Sequence, residues 1–167
     1  MSPAVLTAAC LLGLMLPAPP QNWHVQNNLA HDKYKYDHAD SAVDRAKALG
    51  KLGREEYVAA RQALGAGKTD EALQFLQDYN NEAIGAHDAL LKTGVDPEKH
   101  SNGFRQLQIS VRERGRELRE IVSRVGFEHR RPFEALADSL DALDQRLLLE
   151  LFPHRPANKQ HVPANNP

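Results

Sequence analysis

Residues 104–125 read FRQLQISVRERGRELREIVSRV, and their apolar side chains return with near-heptad regularity. This spacing places those side chains on one side of an α-helix. Gly115 stands between Val111 and Leu118 in the pattern, and Gly126 ends the segment. The pattern therefore predicts an amphipathic helix over 104–125. Its apolar positions are Phe104, Leu107, Val111, Leu118, Val122 and Val125.

The segment that follows, 131–152, predicts a second helix of opposite charge. Pro132 suits the first turn of this helix, and Pro153 stops it. Residues 101–131 contain eight Arg and four Glu, whereas residues 132–152 contain five acidic side chains and one Arg. We expect two antiparallel helices in which exposed ion pairs contribute about 0–1 kcal/mol each. The expected pairs involve Arg112, Arg116 and Arg119 with Asp138, Asp141 and Asp144.

Two further amphipathic helices are predicted upstream, over 41–64 and 70–93. Gly50 and Gly53 interrupt the first of them, and each destabilises a helix by about 1 kcal/mol relative to Ala. These glycines are compatible with a kink, a close helix crossing or a break. Because no segment alternates with period 2, we expect an all-α fold, a four-helix up-down bundle over 41–152.

The hairpin formed by these two helices resembles a known repeat. Residues 54–82, REEYVAARQALGAGKTDEALQFLQDYNNE, are similar to one tetratricopeptide-type helical hairpin. That resemblance implies a protein-interaction scaffold. Taken whole, the chain is also similar to small exported helical proteins of bacteria. The matching positions in the hairpin are Ala60, Ala63, Leu64, Gly67, Ala72, Leu73, Leu76 and Tyr79.

Both ends of the chain differ from the predicted bundle. Residues 1–20 carry no charged side chain and include an apolar run of 13 residues, 4–16, which is typical of a secretory signal peptide and too short to cross a bilayer. We expect residues 1–20 to be removed and the protein to be periplasmic or extracellular, with no transmembrane segment in the mature chain. Residues 21–40 predict a polar, His-rich arm, and residues 153–167 a disordered tail rich in Pro and Asn.

The His-rich arm is a candidate metal site. His24, His31 and His38 are spaced by seven residues, with Asp37 and Asp40 beside the last of them. Imidazole and carboxylate are ligands for Zn, Ni or Cu. On a helix, however, a spacing of seven separates the histidines by about 10.5 Å at each step, too far for one ion to reach two of them. The arm therefore has two interpretations, a metal site and a solvated linker.

Composition and motifs narrow the class of function. The chain has 21 Lys and Arg against 22 Asp and Glu, a net charge of −1, which argues against a nucleic-acid-binding protein. One Cys excludes an intramolecular disulfide. The sequence contains no phosphate-binding, haem, zinc-protease or hydrolase motif, and His87, alone on an apolar helix side, predicts a hydrogen-bonded core residue.

The function expected from the sequence is therefore binding rather than catalysis. We expect a non-enzymatic module without a cofactor that contacts another protein or an envelope component through a helix surface. The alternative is a metal-binding or metal-buffering protein that uses the His and Asp side chains of the arm. The candidate partner-binding side chains are Arg105, Arg112, Arg116 and Arg119.

Overall fold

A computed structural model describes residues 23–154 of the protein, with side chains from residue 25 onward. These residues form five helices and no strand, which confirms the all-α prediction. The signal-peptide prediction for 1–20 and nearly all of the predicted tail lie outside the described residues. No helix in the described range is both long enough and apolar enough to cross a membrane. The helices are α1 (Trp23–Asp37), α2 (Ala42–Gly65), α3 (Thr69–Lys92), α4 (Asn102–Arg124) and α5 (Phe127–Leu151).

The additional helix is α1, which occupies the segment predicted to be a polar arm. The predicted count of four helices is too low by one, because residues 23–37 of the predicted arm are helical. Few of the side chains of α1 are apolar, so the helix shows almost no periodic pattern. It packs along α2, and its Tyr36, which is 7 % exposed, donates a hydrogen bond of 2.6 Å to the Glu82 carbonyl oxygen of α3.

The other helices begin and end close to their predicted limits, except at the start of α5. Helix α5 begins at Phe127 rather than 131, so Pro132 lies inside the helix and not in its first turn. Gly126, with an extended backbone, precedes the first turn. Proline has no N–H to donate to the carbonyl four residues earlier, so one hydrogen bond of the helix is missing at Pro132.

Helix α2 lies at the centre of the fold, where it contacts α1, α3 and α4, while α5 packs on α4 and α3. It runs without a break through both of its glycines. A Cβ atom at Gly53 would clash with the ring of Tyr79, 2.7 Å from Cδ2, whereas nothing lies within 4 Å of one at Gly50. Gly53 therefore permits the close crossing of α2 and α3, and Gly50 has no such role.

Tyrosines join the three helices at this crossing. The rings of Tyr57 and Tyr79 meet edge to face, with centroids 5.4 Å apart. The Tyr79 hydroxyl lies 3.0 Å from the Ser110 hydroxyl of α4. The guanidinium of Arg114 lies over the Tyr57 ring at 5.5 Å. Contacts between aromatic rings, and between cations and rings, stabilise a packed interior beyond the burial of area alone.

Candidate functional site

One exposed side of α4 carries three of the four arginines predicted to bind a partner. Arg105, Ile109, Arg112 and Arg116 follow one another at steps of four, three and four residues, so they form a single row along the helix. We call this row the basic stripe. Ile109 lies within it and is 44 % exposed. Among the described residues, no carboxylate lies within ion-pair distance of the three arginines.

The fourth arginine, Arg119, is used inside the fold. Its guanidinium pairs with Asp141 of α5 and lies 4.0 Å from Asp138. This part of the predicted pairing between the two helices is confirmed. Arg112 and Arg116 make no such pair, and the third predicted aspartate, Asp144, instead accepts a hydrogen bond of 2.8 Å from the Gln108 amide.

Two glutamates of α4 form ion pairs with arginines outside the basic stripe. Glu117 pairs with Arg114 of the same helix at 2.8 Å and with Arg61 of α2 at 2.8 Å. Glu113 lies 3.5 Å from Arg114. Because Arg114 is 7 % exposed and lies against α2, these pairs draw negative charge toward that side of the helix. The basic stripe consequently keeps its positive charge.

The predicted metal ligands that lie among the described side chains are not brought together by the fold. Asp37 pairs with Lys33 at 2.9 Å, and the His38 ring stacks on Tyr34 with its Nδ1 atom 2.9 Å from the Tyr34 carbonyl oxygen. His31 and Asp40 are exposed. The side chain of His24 lies outside the described residues. Within the described part of the chain, no three His, Cys, Asp or Glu side chains are grouped closely enough to hold a metal ion.

His87 lies where the sequence predicted, in the core of the bundle. Its side chain is 1 % exposed, and its Nε2 atom lies 2.9 Å from a carboxylate oxygen of Glu150 on α5. This contact joins the end of α3 to the end of α5. The prediction of a hydrogen-bonded core histidine is confirmed.

A buried carboxyl pair between α2 and α3 was not predicted. Glu56 and Glu82 are only 3 % and 8 % exposed, and their carboxyl groups lie close enough for the charge of one to act on the other. Burial, reinforced by the nearby charge of Glu82, raises the pKa of Glu56 to about 10. Burial also raises the pKa of Glu82. At neutral pH, Glu56 therefore holds a proton that Glu82 can accept as a hydrogen bond.

Helix α1 supplies the cation that faces this pair. The Lys33 ammonium lies 2.7 Å from Oε1 of Glu82. Burial by itself would lower the pKa of Lys33, but its contacts with Glu82 and Asp37 outweigh that effect and raise it. A signal for the pair was present in the sequence, since Glu56 and Glu82 each adjoin the apolar row of an amphipathic helix. Their facing positions, however, depend on how α2 and α3 are rotated against each other.

Comparisons with known protein families, with curated proteins and with solved structures find no match for this chain.

Proposed function

We propose that this protein is a non-enzymatic binding module that docks an acidic helical segment of another protein on the basic stripe of α4. One observation carries the proposal: Arg105, Arg112 and Arg116 have no carboxylate partner in the described chain and stand in one row with the exposed Ile109. Arginine and large apolar side chains are enriched at protein interfaces, where a buried apolar anchor is surrounded by polar contacts.

Charge complementarity within the bundle supports an acidic partner. Helix α4 already binds one acidic helix, α5, along its neighbouring side through Arg119 and Gln108. The basic stripe offers the same chemistry on the side that faces solvent. From Arg105 to Arg116 the row rises about 16 Å, which matches three turns of a partner helix.

A protein partner is favoured over a nucleic acid. The exposed Glu120 follows Arg116 by one helical turn, and its carboxylate would repel a continuous phosphate backbone. The whole chain has a net charge of −1. An acidic helix, by contrast, can place its carboxylates opposite individual arginines, which often form bidentate pairs with carboxylates.

We also propose that the protein acts after export, in the periplasm or outside the cell. The support is the uncharged, apolar sequence of residues 1–20. The resemblance of residues 54–82 to a tetratricopeptide-type hairpin stays a prediction, and it points to the same class of function. N-terminal sequencing of the protein recovered from outside the cytoplasm tests the export proposal, which predicts a mature chain that lacks residues 1–20.

Photo-crosslinking tests the binding proposal in the cells that produce the protein. A photoreactive amino acid replaces Ile109 in one variant and the exposed Lys51 of α2 in a matched control. We expect a discrete adduct with an acidic protein from position 109 alone, lost when Arg112→Glu and Arg116→Glu are introduced. An adduct that survives both charge reversals, or that forms equally from position 51, would contradict the proposal.

A further inference from the structure

A second site lies apart from the basic stripe, in a cavity of about 380 Å³ between α1 and α3. One side of the cavity is apolar, with Leu29 of α1 and Phe75 of α3. The remaining lining is charged or polar and includes both members of the buried carboxyl pair. Its charged side chains are Lys33, Glu56, Asp78 and Glu82.

The carboxyl groups in this cavity have unused hydrogen-bonding capacity. Oε2 of Glu56 and Oε2 of Glu82 are fully buried and have no hydrogen-bond partner among the described residues. Glu56 itself is 3 % exposed. A buried polar atom without a partner destabilises a fold, so such atoms in a cavity call for a ligand, a water or a proton.

The cavity also carries more negative than positive groups. Three carboxyl groups line it, and Lys33 is the single cationic side chain among the lining residues. Lys33 is committed to Glu82 at 2.7 Å, and Asp78 accepts one hydrogen bond of 2.8 Å from the exposed Gln74 amide. Asp78 has no cation among the described residues that line the cavity, so the cavity has room for one more positive charge.

The protein itself shows which kind of cation fits. The Lys33 side chain lines the cavity, and its ammonium contacts Glu82. A lysine side chain is chemically an alkylamine, so the cavity already accepts this kind of group from the protein itself. A metal ion suits the cavity less well, because among the described residues no group of three His, Cys, Asp or Glu is arranged to hold one. The adjacent apolar wall suits a ligand that has an alkyl chain.

We propose that this cavity binds a small primary alkylammonium ligand, with its ammonium between Glu56 and Asp78 and its alkyl chain against Leu29 and Phe75. The ligand supplies the positive charge that the cavity lacks and satisfies the partnerless oxygen of Glu56. The cavity is formed by α1, α2 and α3, so it is separate from the basic stripe of α4.

Binding is expected to release the proton of the buried pair to solvent. Glu56 must ionise to pair with an ammonium, and its raised pKa means that the proton is present at neutral pH. The titratable groups that lie near Glu56 are Lys33 from α1, Tyr57 from α2, and Asp78, Tyr79 and Glu82 from α3. Below the pKa of Glu56, affinity should rise about tenfold per pH unit while the amine stays protonated.

Calorimetric titration with n-butylamine and 1,4-diaminobutane at pH 7, 8 and 9 tests the proposal. We expect one saturable site, an affinity that rises with pH, and release of about one proton, measured from the heats in two buffers of different ionisation enthalpy. Glu56→Gln should weaken binding at least about tenfold, and Asp78→Asn should weaken it less. Glu55→Gln, a change of the neighbouring glutamate that does not line the cavity, serves as the matched control.

The variants are expected to remain folded, because the amide of Glu56→Gln mimics the protonated acid and Asp78 is only partly buried. Far-ultraviolet circular dichroism checks this for each variant. The proposal is overturned by the absence of saturable binding up to about 10 mM amine at pH 9. It is equally overturned by binding that Glu56→Gln leaves unchanged, or by calcium ions that occupy the site while amines do not.

Discussion

Glu56 of α2 and Glu82 of α3 lie near each other in the interior, where they are only 3 % and 8 % exposed and the charge of one acts on the other. Two carboxylates cannot both stay ionised at such a distance in a poorly solvated interior, so the pair retains a proton. The Lys33 ammonium from α1 neutralises the carboxylate that remains on Glu82. The pair therefore couples the protonation of the core to the docking of α1.

The first prediction concerns the pH dependence of stability. The pKa of Glu56 is about 10 in the folded protein against an ordinary value of 4.5, so the folded state binds this proton more tightly than the unfolded state does. Its stabilising effect is complete below pH 4.5 and is lost as the pH rises toward about 10. We expect the free energy of unfolding to fall by up to about 1.4 kcal/mol per pH unit from this group between pH 6 and 9.

Glu56→Gln should make the free energy of unfolding depend less steeply on pH. At pH 8 this variant should unfold at a higher urea concentration than the parent protein. The Gln amide keeps the shape of the protonated carboxyl and cannot ionise. Glu55→Gln is the control, and it should leave the pH dependence unchanged. Equal slopes for Glu56→Gln and the parent protein would mean that the pair does not hold a proton.

The second prediction compares two glycines of α2. Gly50→Ala should increase the free energy of unfolding by up to about 1 kcal/mol, because alanine favours a helix and nothing lies within 4 Å of the new Cβ atom. Gly53→Ala should decrease it by about 1–3 kcal/mol, because its Cβ atom meets the Tyr79 ring. Urea denaturation of both variants measures the difference, and effects of the same sign would contradict the crossing geometry.

The third prediction concerns how α1 is held. Tyr36→Phe removes the hydrogen bond of 2.6 Å to the Glu82 carbonyl oxygen and should destabilise the docking of α1 by about 0.5–1.5 kcal/mol. Hydrogen exchange of the α1 amides should become faster, while exchange in α4 and α5 stays the same. Tyr34→Phe is the matched control because Tyr34 is 62 % exposed. An equal response to both changes would show that the buried hydroxyl has no special role.

The fourth prediction separates binding from folding at the basic stripe. Because Arg112 and Arg116 have no carboxylate partner among the described residues, reversing both charges should lower the free energy of unfolding by no more than about 1 kcal/mol, the effect of the new like-charge pairs along α4. Arg119→Glu should have a larger effect, because it places a third carboxylate beside Asp138 and Asp141. Thermal unfolding of the variants checks both statements. Substantial unfolding of the Arg112 and Arg116 variant would remove it as a test of partner binding.

Local patterns were sufficient to predict α2, α3 and α4. Their apolar side chains recur at helical spacing over more than 20 residues, and glycines mark the turns at Gly67 and Gly94. Both glycines adopt positive φ values, 74° and 69°, which other residues rarely adopt. The start of α5 was predicted too late. Proline is common in the first turn of a helix, but Pro132 lies further along α5.

Helix α1 escaped prediction because the contacts that hold it join it to other helices and leave no periodic apolar pattern in its own sequence. Tyr36 and Lys33 both reach Glu82, which is more than 45 residues away in the chain. Contacts of this kind do not produce a periodic pattern within residues 21–40. The metal-site hypothesis concerned the same segment. In the structure, Asp37 pairs with Lys33, and the His38 ring contacts the Tyr34 carbonyl oxygen.

By itself, the sequence determined the helical class, the positions of the turns and the opposite charges of α4 and α5, because these follow from the order of neighbouring residues. Only the tertiary structure decided which charged side chains pair inside the fold and which have no ion-pair partner among the described residues. Arg119 and Arg112 have the same chemistry, but the rotation of α4 against α5 brings only Arg119 to a carboxylate. The same kind of helix rotation brings Glu56 to Glu82, since contacts between helices depend on packing angles that local sequence does not encode.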